Sequence, residues 1–310
     1  MTIFHSIYHE PGKVTIDDKT CSQCGLCAGI CPAKVLIMEE GRLQVSDKSL
    51  FGCIACGHCM MVCPTGAITV SGRGVSPKDL MPLPDLGKKA NVDQLEALMR
   101  ARRSVRHFRE SPVDPKLVER VVELASTAPM GIPPWDVGCV SVIGREEVRR
   151  VAGEIIKGYE GFLQIFRPWL LAVMRPFIGK VKYEMLAGFI HPLAQTYVDE
   201  HRKGHDKLFY DAPVLLIFHH SPYTDVLDAG IACTYAMLAA ESLGLGSTII
   251  GGAPPILQRN RSLCRRLGIP DSNKPSMALI LGHPAVRFHK TIRRRFAHLS
   301  TIYAGQLKSS

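Results

Sequence analysis

The chain has 310 residues, more than one domain usually contains, so we expect two domains with separate cores. Its hydrophobic fraction of 46% suits a globular protein, and charged residues interrupt every apolar stretch, which argues against a membrane span. The net charge of +10 arises beyond residue 75, because residues 1–75 contain equal numbers of basic and acidic side chains. A basic region attracts nucleic acid, a membrane surface or a phosphorylated cofactor, so charge alone does not choose among them.

The first part of the chain contains an internal repeat. Eight of the 11 cysteines lie between positions 21 and 63 in two runs, and a short apolar segment that predicts a strand follows each run, at residues 35–38 and 67–70. Residues 1–10 lack the basic region, apolar core and cleavage site of a secretory signal, which favours a cytoplasmic protein. We therefore predict a small cysteine-rich domain over residues 1–72.

The two cysteine runs share one spacing. CSQCGLCAGICP at residues 21–32 and CIACGHCMMVCP at residues 53–64 both follow C-x2-C-x2-C-x3-C-P. The pattern resembles that of bacterial ferredoxins with two 4Fe-4S clusters, in which three close thiolates bind one cluster and the fourth reaches the other. The resemblance implies one ligand set of Cys21, Cys24, Cys27 and Cys63, and a second set of Cys31, Cys53, Cys56 and Cys59.

Two other readings of these cysteines fit the pattern less well. Zinc sites use paired ligands and do not require a third cysteine and a Cys-Pro step at these offsets. A disulfide scaffold is not expected in a chain without a secretory signal. The remaining cysteines, Cys139, Cys233 and Cys264, are scattered, and we interpret them as ordinary buried thiols.

A linker and a second domain follow. Residues 73–92 belong to a stretch rich in Gly, Pro and Lys without periodicity, which is typical of a linker. Beyond it, helices are predicted over residues 93–103, 115–126 and 225–243, and strands over residues 137–143, 213–219, 247–250 and 276–281. This alternation predicts a layered domain of helices and strands over residues 93–310.

Residues 158–210 are helical in composition but lie between core elements, so we interpret them as an insertion. The segment contains several aromatic residues, Phe162, Phe166, Trp169, Tyr183 and Phe189. Aromatic residues at such spacings are usually core residues, and the alternative is a lid over a substrate site. The neighbouring pair His219 and His220 ends a predicted strand, and we expect it to be structural because no third metal ligand accompanies it.

The run ARRSVRHF at residues 101–108 introduces a second candidate site. Arg102 and Arg106 bracket Ser104, so two guanidinium groups and a hydroxyl could face one phosphate, although such a run can also be an exposed helix face. Three further segments follow in order, at residues 125–137 (ASTAPMGIPPWDV), 228–252 and 281–295. Together they resemble the nitroreductase family of FMN enzymes, especially its ferredoxin-fused members, over roughly residues 95–300.

The resemblance implies a set of FMN contacts. Arg102, Arg103, Ser104 and Arg106 would contact the phosphate, ribityl chain and pyrimidine edge, and Lys290 and Arg294 would close on the phosphate. Pro129, Met130 and Gly131 would face the flavin from the other subunit of a homodimer, and the turn at Ile250 and Gly251 would place a backbone amide near N5. The chain departs from the family at Met130, where Ser is commoner, and in the shortened loop before Pro-Trp.

The overall prediction is an α+β protein, with a ferredoxin-like domain for two 4Fe-4S clusters followed by a nitroreductase-like α/β sandwich that binds FMN. It implies an oxidoreductase that takes electrons from reduced ferredoxin or another low-potential donor and passes them to a nitroaromatic, a quinone or a similar organic acceptor. No side chain is predicted to be catalytic, because the chemistry is the flavin's. The alternatives are a non-catalytic electron-transfer subunit and a nucleic-acid-binding protein, although no binding module accompanies the basic charge.

Overall fold

The computed structural model describes residues 12–49, 52–131 and 136–304. Within these ranges the hydrophobic residues form separate clusters, one confined to residues 14–75 and two others that lie beyond residue 104. None of the helices in these ranges is long and apolar enough to cross a membrane.

The first cluster is built from short elements. These are β1 (Lys13–Ile16), α1 (Leu26–Ile30), β2 (Leu36–Glu39), β3 (Arg42–Val45), α2 (His58–Val62) and β4 (Ile68–Ser71). Strand β1 pairs antiparallel with β4, and β2 pairs antiparallel with β3. Both strands expected after the cysteine runs are present, and Leu36 and Ile68 bury their side chains between the two small sheets and the helices.

The internal repeat is a repeat of backbone conformation. Gly25 and Gly57 adopt left-handed φ values of 74° and 73°, and each immediately precedes a five-residue helix. Gln23 and Ala55, two residues earlier, also share a positive φ of 55°. Glycine favours this region because it has no Cβ to clash with the following carbonyl. The chain therefore turns in the same way around each cysteine run.

The second part of the chain forms a four-stranded antiparallel sheet covered by helices on both faces. Its strands are β5 (Val137–Ile143), β6 (Val214–His220), β7 (Gly246–Ile249) and β8 (Lys274–Gly282), in the order β5-β6-β8-β7. Side chains alternate across a strand, so Leu215 and Ile217 of β6 join one hydrophobic cluster while Leu216 and Phe218 join the other. This explains why the central strands are almost continuously apolar.

The helices of the second part include the three predicted before and after the insertion, and several further ones. They are α3 (Val92–Ala101), α4 (Pro115–Ala125), α5 (Arg145–Ile165), α6 (Pro168–Ile178), α7 (Lys180–Met185), α8 (His191–Arg202), α9 (Val226–Ser242), α10 (Ala253–Leu257) and α11 (Arg261–Arg266). Asp114 caps α4 as predicted, because its carboxylate accepts the N–H of Lys116 at 2.9 Å and Pro115 occupies the first turn.

The predicted insertion is helical up to Arg202, apart from short breaks between helices, and it begins inside a continuous helix. Helix α5 runs through residue 158 without a break, and α7 continues through a π-helical turn (Leu186–Ile190) into α8. Phe162 packs against the core, whereas Trp169 and Phe189 are 63% and 64% exposed. The core interpretation therefore holds for Phe162 and is wrong for Trp169 and Phe189 in the single chain.

The histidine pair at the end of β6 is buried in the sheet. Both imidazoles are buried because helices cover both faces of the sheet, and the pairing of β6 with β8 shifts register between Phe218 and His219. Asn273 Nδ2 lies 2.9 Å from His219 Nδ1, and Nδ2 is a donor, so this ring nitrogen is the unprotonated one. His219 thus has the structural role predicted for it.

This burial predicts a loss of stability in mild acid. Burial, and then the neighbouring His220, lowers the pKa of His219. The unfolded state therefore binds the proton more tightly than the folded state. The free energy of unfolding should decrease as the pH falls below about 6.5, the pKa of an unfolded histidine, towards the lower pKa of His219 in the folded protein. In denaturant titrations at several pH values between about 7.5 and 5, His219→Gln should show a smaller decrease than the wild type. The exposed His298→Gln variant is the control, and equal slopes in all three proteins would contradict the prediction.

Candidate functional site

Two cavities in the first part of the chain are each bordered by four cysteines. Cys21, Cys24, Cys27 and Cys63 border one, with an empty volume of about 270 Å³. Cys31, Cys53, Cys56 and Cys59 border the other, of about 350 Å³. Each cavity thus receives three thiols from one run and the fourth from the other run. The structure brings together the two sets of four named from the spacing, and their role as cluster ligands stays a prediction.

The sulfur atoms are placed to accept backbone hydrogen bonds. The N–H of Val35 donates to Cys31 Sγ at 3.3 Å, and the N–H of Ala67 donates to Cys63 Sγ at the same distance and the same offset of four residues. The N–H of Ala55 donates to Cys53 Sγ at 3.4 Å. Such donors stabilise negative sulfur and are among the features that tune iron–sulfur clusters.

The thiols around the two cavities differ in how readily they ionise, because a backbone hydrogen bond from Leu26 lowers the pKa of Cys24 while burial raises the pKa of others. Burial, followed by the neighbouring Cys53, raises the pKa of Cys59 to about 12, and burial also raises the pKa values of Cys27 and Cys53. These thiols become thiolates only when a cation compensates their charge. Over the described ranges, no three His, Cys, Asp or Glu side chains are grouped to hold a single metal ion. Four thiols around one cavity, three of them from one C-x2-C-x2-C run, are a donor set that fits a four-iron cluster.

The predicted phosphate-binding run is an extended segment that leaves α3. The N–H of Val105 donates to the carbonyl of Ser247 at 3.0 Å, and Ser104 forms an isolated parallel bridge with that residue of β7. Val105 is buried, while Ser104 and Arg106 are exposed. Since side chains alternate along extended chain, Ser104 and Arg106 share the outer face. Arg102 is the C-terminal cap of α3, where its N–H still donates to Leu98.

Arg102 and Arg294 lie close enough to repel each other. Burial, and then the charge of Arg294, lowers the pKa of Arg102, and Glu241 acts in the opposite direction. Guanidinium groups bind phosphate well, so an anion near Arg102 would offset the charge of Arg294. The charge of Arg294, near the end of the second domain, therefore acts on Arg102 near its start, and their shared role at a phosphate stays a prediction.

Arg103 ties the C-terminal segment to the end of α3. Its Nη1 donates to the carbonyl of Arg102 at 2.6 Å, and its Nη2 donates to the hydroxyl of Thr291. Thr291 in turn donates to the carbonyl of Arg100 at 3.2 Å. Lys290 borders a large basic cavity together with Arg103. These two predicted contacts thus occupy one cavity, while Arg102, Ser104 and Arg106 are not among the residues that border it.

The loop at Pro129, Met130 and Gly131 is anchored to α9. The N–H of Gly131 donates to Asp228 Oδ1 at 3.2 Å, and Asp228 is buried in the first turn of α9. Over the described residues, no hydrogen bond or ion pair joins this loop to the arginines of the run at residues 102–106. Residues 132–135, which include the Pro-Trp motif, lie outside the described ranges.

The turn predicted to face N5 is held at both ends. The N–H of Ile250 donates to the carbonyl of Ala278 in β8 at 2.8 Å, and the hydroxyl of Tyr159 donates to the carbonyl of Gly252 at 2.6 Å. Gly251, between them, is exposed, and a Cβ there would meet nothing within 4 Å. Sequence reasoning missed Tyr159, because no motif marks a tyrosine 93 residues from its hydrogen-bond partner.

Aromatic contacts connect this turn to the phosphate-binding run. The rings of Tyr159 and Tyr197 lie 5.4 Å apart, and the guanidinium of Arg106 lies 5.8 Å from the ring centre of Tyr210. The pKa of Tyr197 is raised first by burial and then by the nearby Tyr210. The predicted insertion therefore contacts both the turn at residues 250–252, through Tyr159, and Arg106, through Tyr210.

Comparisons with known proteins divide the chain in the same order. A model of the nitroreductase family matches residues 99–283, and a model of the 4Fe-4S dicluster domain matches residues 13–67. An FMN reductase [NAD(P)H] of Bacillus subtilis is 26% identical over 62% of this chain and 66% of its own length. A putative NADH dehydrogenase/NAD(P)H nitroreductase of Methanothermobacter thermautotrophicus is 26% identical over 64% of this chain and 81% of its own length.

The cysteine-rich part and the fold have relatives of their own. NADH-quinone oxidoreductase subunit I 2 of Geobacter metallireducens is 34% identical over 20% of this chain, and the match covers 52% of that protein. The chain thus spans about half of this relative and slightly less than two thirds of the Bacillus protein. A nitroreductase with bound FMN from Bacteroides fragilis shows the same fold, with a TM-score of 0.51 at 18% identity over 68% of this chain and 99% of that one.

Proposed function

Because the chain belongs to the nitroreductase family and also carries a 4Fe-4S dicluster domain, we propose that it is an FMN-dependent oxidoreductase supplied with electrons by two 4Fe-4S clusters. The observation that supports this most directly is the pair of four-cysteine cavities in the same chain as the nitroreductase domain. When bound, the clusters would supply single electrons, and FMN would pass them to an organic acceptor.

The residues of the chain would bind and orient these groups. The two sets of four thiolates would hold the clusters, and the N–H donors of Val35 and Ala67 would stabilise the negative charge on sulfur. Arg102 and Arg294 would neutralise the FMN phosphate, which relieves their mutual repulsion. Ser104 and Arg106 would contact the cofactor from the exposed face of the extended segment.

A second group of residues would shape the reacting face of the flavin. The turn at Ile250 and Gly251 would aim a backbone amide at N5, where a donor stabilises the negative charge of the reduced ring. Pro129, Met130 and Gly131 would come from the other subunit of a homodimer, and Arg103 and Lys290 would lie on the phosphate side. The exposed aromatic residues of the insertion would cover the acceptor.

The donor we propose is reduced ferredoxin or another low-potential carrier in the cytoplasm, and the acceptor is a nitroaromatic, a quinone or a similar conjugated compound. The Bacillus relative is named as a reductase of FMN that uses NAD(P)H, so NADPH is the competing donor. Direct reduction by NADPH would bypass the cysteine-rich domain, whereas reduced ferredoxin would use it.

The test begins with anaerobic purification and measurement of iron, sulfide and flavin. We expect about eight irons and one FMN per chain. Stopped-flow mixing with reduced ferredoxin, and separately with NADPH, then shows which donor reduces the flavin. Flavin reduction by ferredoxin, followed by turnover of a nitroaromatic or quinone, supports the proposal. Iron without any FMN binding would contradict it, and bound FMN with negligible turnover would favour an electron-transfer subunit.

A further inference from the structure

We propose that Tyr159 is a positioning residue that fixes the turn at residues 250–252. The inference rests on the proposed function, which places this turn beside the N5 atom of FMN. It adds a residue that carries no family motif and that lies at the start of the predicted insertion. Three features of the structure support it, and a fourth supplies a matched control.

The first feature is a short hydrogen bond in a buried place. Tyr159 is 6% exposed, and its hydroxyl donates to the carbonyl of Gly252 at 2.6 Å. Burial, and then the nearby Tyr197, raises the pKa of Tyr159, so the hydroxyl stays protonated and remains a donor at physiological pH. A buried hydroxyl that has lost its acceptor is costly, so the two groups hold each other in place.

The second feature is the close approach of Tyr159 to Gly252. Gly252 has φ −77° and ψ −23°, a right-handed conformation that any residue adopts. A Cβ on this residue would nevertheless lie 2.8 Å from the Tyr159 hydroxyl and 3.4 Å from the ring of Tyr197. The approach of the Tyr159 hydroxyl, and not the backbone conformation, therefore favours glycine at this position.

The third feature is the second anchor of the turn. Ile250 is buried and bonds to Ala278 in the central strand β8, while Tyr159 holds Gly252 on the other side. Gly251 lies between these two fixed points and is exposed. A backbone N–H in a turn that is fixed on both sides needs little reorganisation when negative charge develops on a ligand. Such preorganised donors stabilise that charge most effectively.

The fourth feature is a matched residue in the same cluster. The ring of Tyr197 packs 5.4 Å from that of Tyr159, but no hydrogen bond of its hydroxyl is found among the described residues. Tyr197→Phe therefore removes a hydroxyl from the same surroundings without releasing the turn. This variant therefore distinguishes the loss of any hydroxyl near the two tyrosines from the loss of the hydrogen bond to Gly252.

Tyr159→Phe should weaken the turn and disfavour reduced flavin. We expect the affinity for reduced FMN to fall about tenfold relative to the affinity for oxidised FMN, which corresponds to a midpoint potential about 30 mV lower for a two-electron couple. The holoprotein potential, measured anaerobically by spectroelectrochemistry, should shift in Tyr159→Phe and stay at the wild-type value in Tyr197→Phe. An unchanged potential in Tyr159→Phe, or equal shifts in both variants, would overturn the proposal.

Amide hydrogen exchange of the full chain provides a readout that does not depend on the cofactor. The peptide that contains residues 250–253 should exchange faster in Tyr159→Phe than in the wild type or Tyr197→Phe, with or without FMN. Equal exchange in all three proteins would overturn the positioning role. If the wild type binds no FMN while exchange still increases in Tyr159→Phe, the proposed function fails and the hold of Tyr159 on the turn stands.

A double variant tests the contact from the other side. Gly252→Ala should speed exchange of the turn in the wild-type background, because its methyl group meets the Tyr159 hydroxyl. In the Tyr159→Phe background that hydroxyl is absent, so the same substitution should have a smaller effect. Additive effects would contradict a direct contact between the two residues.

Discussion

Replacement of Cys63 by Ser should remove one cluster and leave the other, so that anaerobically purified protein contains about four irons per chain instead of about eight. The lost cluster should be the one that Cys21, Cys24 and Cys27 help to hold, although Cys63 is closer in sequence to the other set. The reason is the arrangement of the thiols, because Cys63 borders the same cavity as those three cysteines.

Two further variants make this experiment specific. Cys31→Ser is the mirror case and should remove the cluster held with Cys53, Cys56 and Cys59, since Cys31 borders that cavity. Cys264→Ser is the control, because this buried thiol donates to the carbonyl of Leu257 at 3.2 Å, outside both sets, and should retain all the iron. Electron paramagnetic resonance of the reduced proteins distinguishes the clusters. Loss of both clusters in each ligand variant, or of neither, would contradict the crossed assignment.

Replacement of Arg102 by Ala should weaken FMN binding by roughly 10- to 100-fold, which corresponds to the roughly 1.5–3 kcal/mol of a hydrogen bond to a charged group. Burial and the charge of Arg294 lower the pKa of Arg102, and a bound phosphate would offset both effects. Arg102→Lys should be intermediate, because an ammonium retains the charge but not the planar fork. Quenching of flavin fluorescence during titration of the apoprotein gives the dissociation constants.

The matched control is Arg120→Ala. Arg120 is exposed and pairs with Glu123 on the same helix, so it should leave FMN affinity unchanged. Loss of Arg102 removes both its repulsion with Arg294 and its attraction to Glu241, so the melting temperature of the Arg102→Ala protein without FMN should change little. Equal FMN affinity in Arg102→Ala and the wild type would place the phosphate elsewhere.

The two-part α+β fold was predictable because its signals are local in sequence. Each cysteine run fixes its own backbone turns, with glycine where φ is positive at Gly25 and Gly57, so the spacing of one run already implies the motif. The predicted ferredoxin-like and nitroreductase-like parts are confirmed by the two family models and by the fold of the Bacteroides nitroreductase. The strands of the sheet were equally visible, because helices cover both of its faces and make its central strands apolar.

The candidate flavin site was less predictable because its contacts connect distant parts of the chain. The charge of Arg294 acts on Arg102 although the two residues lie near opposite ends of the second domain in sequence, and only the family resemblance could pair them. The contact of Tyr159 with Gly252 leaves no trace in local periodicity, since a buried tyrosine on a helix resembles any core aromatic residue. The exposure of Trp169 likewise depends on what packs against it, which a sequence pattern does not specify.

The continuity of α5 also limits how the insertion can move. The helix has 21 residues without an internal break, so by a rise of about 1.5 Å per residue it is a stiff rod roughly 30 Å long. The first turns of α5 pack in the core, and Tyr159 near its end bonds to the turn at residues 250–252. A swinging motion of the outer helices must therefore hinge beyond α5, at the step before Pro168 or at Gly179, whose φ of 80° suits glycine. The segment that moves is then shorter than the insertion at residues 158–210. It can open or close while Tyr159 keeps its hydrogen bond to the turn at residues 250–252.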